Sequence, residues 1–593
     1  MENTIEKRLG QLREYMRSHG LSAFVVGSSD PHGSEYVADR WKTREWISGF
    51  DGSAGTAVIT QDSAMLWTDS RYWLAAETVF ANSEYELMKE RVKDVPTVAE
   101  WLCGVLECGD VVGVDGTVCS LREVYELRDT LAKKEISLDT SHDPFDEIWE
   151  NRPSVPMSVA EIIPESIAGE SVQSKLARIR ERMEQIGLSN MLFPMLDEVA
   201  WVTNLRGADV DYNPVLVAYL LVSKEQATLF IDNAKLTDEV RTYLHNENIT
   251  IEAYDAIWHV LNNYPYNTIC LPDGCNAAIV ERLNKATTPL FRPSVVADMK
   301  SIKNSIEIEG FKKAMLAEGI AMVKLLHWLK PAVEKGGVTE LDVDYALTAF
   351  RKEDKNFRGL SFATIAAYGK NGAIVHYEPT PSANAELQPK SFLLLDCGGQ
   401  YQCGTTDITR TIPLGSLTQE EREDYTRVLR GHISLAMAKF PVNTFGVQLD
   451  VLARQWLWQA GENYLHGTGH GVGHFLNVHE GPHQIRMNFI PATLKPGMTV
   501  TNEPGIYKAD RFGIRIENTM LVCNDITTEF GAFCSLQPLT ICPIDKEPII
   551  PELLGCEAIE YLNNYHAWVY EQLASHFDGE LLEFLKDACA PLK

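Results

Sequence analysis

Residues 466–482 read HGTGHGVGHFLNVHEGP, four histidines and five glycines in seventeen residues. Whether this stretch is helical or extended decides what the region around it can be. His466 and His470 are four apart and would share one face of a helix. Gly467, Gly469, Gly471 and Gly473, however, would each cost that helix about 1 kcal/mol relative to Ala. The stretch is therefore read as extended or turning. In an extended strand residues of equal parity share a face, so His466, Thr468 and His470 point together. The glycines between them let another backbone or a ligand come close. HEGPH at 479–483 matches the H-E-x-x-H zinc signature in letters only. That signature needs both histidines on one helical face, and Gly481 and Pro482 oppose a helix.

Working outward, acids occur in strand-like neighbours of this stretch. In LLLDCGGQYQCGTTDITRTI (393–412) Asp396 follows an apolar run, and Asp407 lies in an alternating segment beyond a glycine-rich turn. A hairpin there brings the two carboxylates together. TVTNEPGIY (499–507) places Glu503 before a proline, a position biased to extended geometry. GIRIENTMLV (513–522) alternates Ile514 and Ile516 with Arg515 and Glu517, as a strand with one polar face does. Four carboxylates and one imidazole make a candidate dinuclear centre. Hard oxygen ligands with a single histidine suit Mn²⁺, Co²⁺ or Zn²⁺ and disfavour the thiolate chemistry of a structural zinc. Two such ions about 3.5–4 Å apart generate a nucleophile for hydrolysis at neutral pH.

The chain has 593 residues, more than one hydrophobic core accommodates. An internal repeat organises its first half. Ile5, Leu9, Leu12 and Met16 have helical spacing and precede Gly20-Leu21-Ser22 and the strand-like AFVVG. The same pattern recurs 167 residues later as Val172, Leu176, Ile179 and Met183, then Gly187-Leu188-Ser189 and NMLF. The glycines suit helix C-terminal caps. Two tandem α/β domains are expected, 1–153 and 154–302, joined through NRPSVPMS (151–158). A third region, 303–593, opens with the helical IEGFKKAMLAEGIAMVKLLHWL (308–329). It continues in short strands and ends in an amphipathic helical extension from about 550. That extension is expected to pack on its own domain.

The net charge of −28 argues against nucleic acid and anionic membranes as partners. The longest aliphatic run, VLVAYLLV (215–222), is far short of a membrane span. Twelve cysteines without a C-x-x-C read as reduced thiols of a cytoplasmic protein, Cys397 and Cys403 among them as small packing residues.

Taken together, LLLDCGGQYQCGTTDITRT, HGTGHGVGHFLNVHEGP, TNEPGIY and GIRIEN closely resemble the creatinase-like, "pita-bread" metallopeptidases, and among them the long three-domain aminopeptidase P (Xaa-Pro aminopeptidase) family. WISGFDGSAGTAVIT (46–60), WTDSRYW (67–73), NLRGADVDYNPV (204–215) and YLNNYH (561–566) extend the resemblance over nearly the whole chain. The resemblance implies two creatinase N-terminal-like α/β domains followed by a pita-bread α+β catalytic domain. It implies cleavage of the bond before a proline in second position by attack of a metal-bridging hydroxide. Proline dipeptidase is the alternative on the same scaffold; a catalytically silent peptide-binding module is the less favoured one. By resemblance Asp396 chelates one ion, Asp407 and Glu517 bridge two, and His470 and Glu503 complete the second, with manganese as the expected metal. Glu503 would also shuttle the proton, His479 would bind the carbonyl oxygen, His376 would contact the substrate backbone and His466 would line the pocket. Arg515, two residues from Glu517, is expected to orient that carboxylate. His474 departs from the family pattern and is expected at the surface or in packing, and His483 receives no role. A homodimer is the family expectation.

Overall fold

In the computed structural model, which describes residues 4–272 and 274–593, the two N-terminal repeats fold alike. Helix α1 (Ile5–Ser18) buries Leu9, Leu12 and Met16, and α2 (Val172–Gln185) buries Val172, Leu176, Ile179 and Met183. Each helix stops at a glycine in left-handed geometry, Gly20 at φ +68° and Gly187 at φ +75°. The next amide then reaches back to end the helix, Leu21 to the Met16 carbonyl and Leu188 to that of Met183, both at 2.8 Å.

Behind α1 stands a six-stranded sheet of β1 (Ala23–Val26), β2 (Thr56–Thr60), β3 (Ala64–Thr68), β4 (Tyr85–Lys89), β5 (Val111–Val114) and β6 (Ser137–Asp139), in the order β4-β3-β2-β1-β5-β6. Behind α2 stands one of β7 (Asn190–Phe193), β8 (Ala218–Ser223), β9 (Ala227–Ile231), β10 (Ile249–Glu252), β11 (Thr268–Leu271) and β12 (Thr288–Phe291), in the order β10-β9-β8-β7-β11-β12. Both are antiparallel over the three central-left strands and parallel at the flanks. The repeat read from the sequence is therefore a repeat of topology.

Contacts divide the chain into two units. The first contains residues up to Pro164 with Glu170–Ala297 and so holds both sheets; the second is Glu165–Gly169 with Asp298–Lys593. In the second, α3 (Ser305–Lys335) starts at a capping box, Asn304 with Glu307, and α4 (Glu340–Arg351) follows. An antiparallel ribbon of β13 (Ile365–Tyr368), β14 (Phe392–Cys397) and β15 (Ile408–Pro413) sets Asp396 opposite Thr409, the hairpin expected from the sequence. Helices α5 (Gln419–Ala436) and α6 (Gly446–Trp458) come next. The quoted histidine segment then forms β16 (Gly469–Gly471), paired with β17 (Glu480–Ile485). HEGPH thus runs along a strand.

One expectation is modified. GIRIENTMLV is not a single strand but two. β18 (Thr499–Asn502) and β19 (Gly505–Lys508) pair with β21 (Asn518–Thr528) and β20 (Phe512–Arg515) respectively, and the ladder is broken at Glu503–Pro504 on one side and Ile516–Glu517 on the other. Pro504 has no N–H to continue it, and the Glu517 amide turns to the Thr409 carbonyl at 3.1 Å. The break therefore falls at two of the acids. Strand β22 (Gly531–Pro538) returns alongside β21. Helices α7 (Cys556–Leu573) and α8 (Gly579–Ala588) place Leu562, Tyr565, Val569, Leu573 and Leu585 in the same core as Phe311, Ile514, Ile516 and Leu521. The tail packs on its own domain. Cys397 is buried, Cys403 half-buried, and all twelve cysteines are free thiols. Among the described residues no helix is long and apolar enough to cross a membrane.

Candidate metal centre

The glycines of 466–473 admit backbone, as their spacing suggested. A Cβ on Gly469 would lie 1.9 Å from the Thr501 carbonyl oxygen, and one on Gly471 2.5 Å from that of Glu480. Only glycine lets β16 lie this close to β18. The contact is fastened by Glu503 N–H to the Thr468 carbonyl (2.8 Å) and His470 N–H to Thr501 Oγ1 (3.1 Å). Two acid- and imidazole-bearing segments are thereby locked in register.

Ligand atoms of Asp407, His470 and Glu517 lie within 4.8 Å of one another. The His470 ring is oriented by its Nδ1, 2.9 Å from the Gly471 carbonyl, which leaves Nε2 facing Asp407 Oδ2 at 3.4 Å and Glu503 Oε1 at 3.5 Å. Glu517 Oε2 accepts from the Thr409 hydroxyl at 2.7 Å. Asp396 Oδ2 accepts from Arg515 through Nε (3.1 Å) and Nη2 (2.6 Å). So the sequence assignment of Arg515 to Glu517 is corrected. Arg515 sits in β20, before the ladder break, and its side chain crosses to Asp396 instead.

These acids repel one another. Burial, then the charges of Asp396 and Glu503, push the Asp407 carboxyl well above the usual carboxylate range. Burial with Asp407, Asp396 and Glu503 does the same to Glu517. Burial pushes Glu503 up to about 7 although Arg515 pulls it down. Four carboxylates thus face one guanidinium, and Asp396 Oδ1 is buried with no hydrogen-bond partner. A carboxylate-rich cluster with one aimed imidazole and an orphaned acid oxygen fits divalent cations, which would supply the missing positive charge.

His479 and His466 flank this cluster. His479 packs edge-on against His470, ring centroids 4.4 Å apart, and its charge would lower both Asp407 and Glu503. His466 Nδ1 is 3.9 Å from Glu503 Oε2, and its Nε2 is 2.8 Å from the Tyr507 hydroxyl. Thr468 does not join them: its hydroxyl bonds Asp450 Oδ1 (2.6 Å) and Tyr464 (2.5 Å). His376 is half-buried and follows Val375, whose carbonyl accepts from Arg515 at 3.3 Å. His474 is buried against the Phe311 ring and the backbone at Gly310, a packing residue. His483 is buried with Nε2 on the Thr499 carbonyl at 2.7 Å and its pKa pushed down to about 4 by burial.

The sequence pattern of the Creatinase/Prolidase N-terminal domain matches residues 8–147 and again 151–307. That of metallopeptidase family M24 matches 309–524, and that of the C-terminal region of peptidase M24 matches 532–592. A probable Xaa-Pro aminopeptidase P of Laccaria bicolor is 41% identical, over 100% of this chain and 94% of that protein. The chain belongs to metallopeptidase family M24. Xaa-Pro aminopeptidase 1 of Dictyostelium discoideum is 38% identical to the M24 chain over 99% of it and 97% of that protein. Among solved structures, the X-prolyl aminopeptidase from Caenorhabditis elegans, described as a cytosolic enzyme with a di-nuclear active site, matches at a TM-score of 0.95 with 32% identity and covers both chains fully. An Xaa-Pro dipeptidase from Bacillus anthracis shares the fold over 63% of the M24 chain, at a TM-score of 0.52 and 23% identity.

Sequence reasoning missed Tyr507 as a hub of this M24 site. Its hydroxyl lies 2.6 Å from Arg515 Nη1 as well as 2.8 Å from His466. It joins the Asp396 side of the cluster to the Glu503 side. The only signal was its place in the quoted TNEPGIY, four residues after Glu503.

Proposed function

We propose that this chain is a metal-dependent Xaa-Pro aminopeptidase that removes the N-terminal residue from peptides with proline second. Asp396, Asp407, His470, Glu503 and Glu517 hold two divalent ions, manganese in the first instance. The convergence of Asp407, His470 and Glu517 on one buried point, under-supplied with positive charge, carries the reading. The full-length likeness to the C. elegans and L. bicolor proteins supports the substrate class. Bound ions supply water activation and Lewis-acid polarisation of the scissile carbonyl. The chain's own groups do the rest. Asp407, Glu517, His470 and Asp396 would hold the ions together with Glu503. Arg515 and Tyr507 fix Asp396 and His466 in place. His479, beside His470, donates to the carbonyl oxygen as negative charge develops there. Glu503 carries the proton to the leaving imino nitrogen, while His376 and His466 line the peptide path. A bond before proline lacks an amide N–H, so a pocket dedicated to it is chemically reasonable.

The reading extends to three regions, 1–153, 154–302 and 303–593, and to a cytoplasmic homodimer. The cytosolic description of the C. elegans relative supports the location. Light scattering should give about twice 66.4 kDa.

The test is hydrolysis of Arg-Pro-Pro and Ala-Pro by chelator-stripped protein restored with Mn²⁺. Metal-dependent release of arginine from the tripeptide establishes the activity. Cleavage of the dipeptide alone makes the chain a dipeptidase, and cleavage of neither by loaded protein removes the catalytic reading.

A further inference from the structure

The tail segment YLNNYH has no place in the mechanism above, yet its Tyr565 and His566 are both buried and point into the catalytic unit. Tyr565 meets Arg410, a fully buried cation. Among the described residues no carboxylate pairs with it. Its partners are neutral oxygens: Nε donates to the Pro543 carbonyl (3.0 Å), and Nη2 to the Cys542 carbonyl (2.8 Å), Asn518 Oδ1 (2.9 Å) and the Tyr565 hydroxyl (3.2 Å). Nη1 donates to two carbonyls at once, Thr409 (2.9 Å) and Glu517 (2.6 Å).

That last pair matters for the acids. Thr409 follows Asp407 by two residues, just inside β15; Glu517 lies in the ladder break, next to the start of β21. One guanidinium nitrogen bonded to both backbones fixes the spacing of the two strands where Asp407 and Glu517 face each other. An interior cation is costly to hold without a partner acid, so the fork persists only while every acceptor around it is in place. Tyr565 is placed to keep them so. Its oxygen accepts from Arg410, and its single proton goes to the Thr540 or Cys542 carbonyl, each 2.9 Å away. His566 holds the same segment from the other side, its Nε2 accepting the Ile544 amide at 3.1 Å. Asn518 carries the network onward. Its Nδ2 lies 3.4 Å from His432 Nε2, and His432 Nδ1 bonds the Asn502 carbonyl at 3.0 Å, next to Glu503.

We infer that Tyr565 and Arg410 are positioning residues of the metal centre, so that the C-terminal extension sets the spacing of Asp407 and Glu517 and with it the affinity for divalent ions. The inference rests on the proposed metal assignment of those two acids. Neither side chain touches substrate; they act through the backbones of Thr409 and Glu517.

Tyr565→Phe deletes one oxygen and keeps the shape, and Leu562→Ala on the same helix loosens packing without touching the network, Leu562 being fully buried. Full-length wild type and both variants are stripped with chelator and titrated with Mn²⁺ alone, free ion being read by electron paramagnetic resonance. Tyr565→Phe should bind its weaker ion about 10-fold or more less tightly, the size expected for loss of an outer partner. Its kcat on Arg-Pro-Pro should fall at low Mn²⁺ and recover in excess, with KM unchanged. Leu562→Ala should melt earlier and bind Mn²⁺ as wild type does. Wild-type affinity in Tyr565→Phe, or an equal loss in Leu562→Ala, overturns the inference while leaving the metal centre standing. A wild-type chain that binds no Mn²⁺ overturns both.

Discussion

Replacing Glu503 by glutamine should make the metal-free protein more stable, not less, and only at neutral or higher pH. In the fold the Glu503 carboxyl is raised from 4.5 to about 7, burial being the largest cause. A raised carboxyl favours the protonated form, so its contribution to stability is fully present below pH 4.5 and is lost as pH rises through about 7. At roughly 1.4 kcal/mol per pH unit the loss amounts to about 3 kcal/mol. Glutamine is neutral throughout and escapes it. For a folding unit of this size that is roughly 5 °C in melting temperature. The assay is calorimetry of chelator-treated wild type and Glu503→Gln at pH 5 and pH 8. The variant should melt higher at pH 8 and close to wild type at pH 5. Adding Mn²⁺ at pH 8 should reverse the order, because the amide is the poorer ligand. An equal difference at both pH values, or none at either, would refute the account of the cluster as acids held together against their charge.

Asp407→Asn should abolish hydrolysis of Arg-Pro-Pro with the circular-dichroism spectrum retained; a fully active, metal-loaded variant removes Asp407 from the centre. His479→Ala should lower kcat by about 10²–10³-fold through the lost donor to the oxyanion, with KM much less affected; unchanged turnover excludes it from the mechanism. Gly469→Ala puts a methyl 1.9 Å from the Thr501 carbonyl. It must part β16 from β18, costing about 1–3 kcal/mol of stability and most of the activity, since His470 and Glu503 are set by that contact. A variant that melts and turns over like wild type would show the close approach to be dispensable.

What the sequence made legible was whatever repeats or is local. The 167-residue repeat could be read because a helix end at Gly20 and at Gly187 leaves the same trace, an apolar period followed by a left-handed glycine. Residues 466–473 read as extended because four glycines would together cost a helix about 4 kcal/mol. The hairpin at Asp396 and Asp407 follows from alternation on either side of a turn. The misreadings involve contacts between distant segments. Arg515 reads as the partner of the acid two residues away, whereas it bonds Asp396 across 119 positions of chain. The strand through 513–522 reads as continuous because its interruption is caused by Pro504 on a neighbouring strand. Tyr507 and His432 carry no local pattern; a tyrosine or histidine at such positions is ordinary core until its hydroxyl or ring nitrogen is seen to meet a partner.

One buried charge group bears on where this protein can be cut. Glu480, next to His479, lies between two buried ammonium groups, Lys300 at 2.8 Å and Lys303. Both belong to the stretch by which the chain enters the catalytic unit. A fragment starting at Lys303 would leave Glu480 with one partner instead of two, at the cost attached to an under-compensated interior charge. Starting ahead of Asp298 keeps both lysines but still omits Ala168, whose carbonyl accepts the Asn304 side chain at 3.0 Å where α3 begins. The catalytic portion is thus not a single uninterrupted length of polypeptide. Limited proteolysis should yield a large C-terminal piece that stays active only while the short 165–169 segment remains bound to it, and an expression design for that portion must supply those five residues in trans or by a linker.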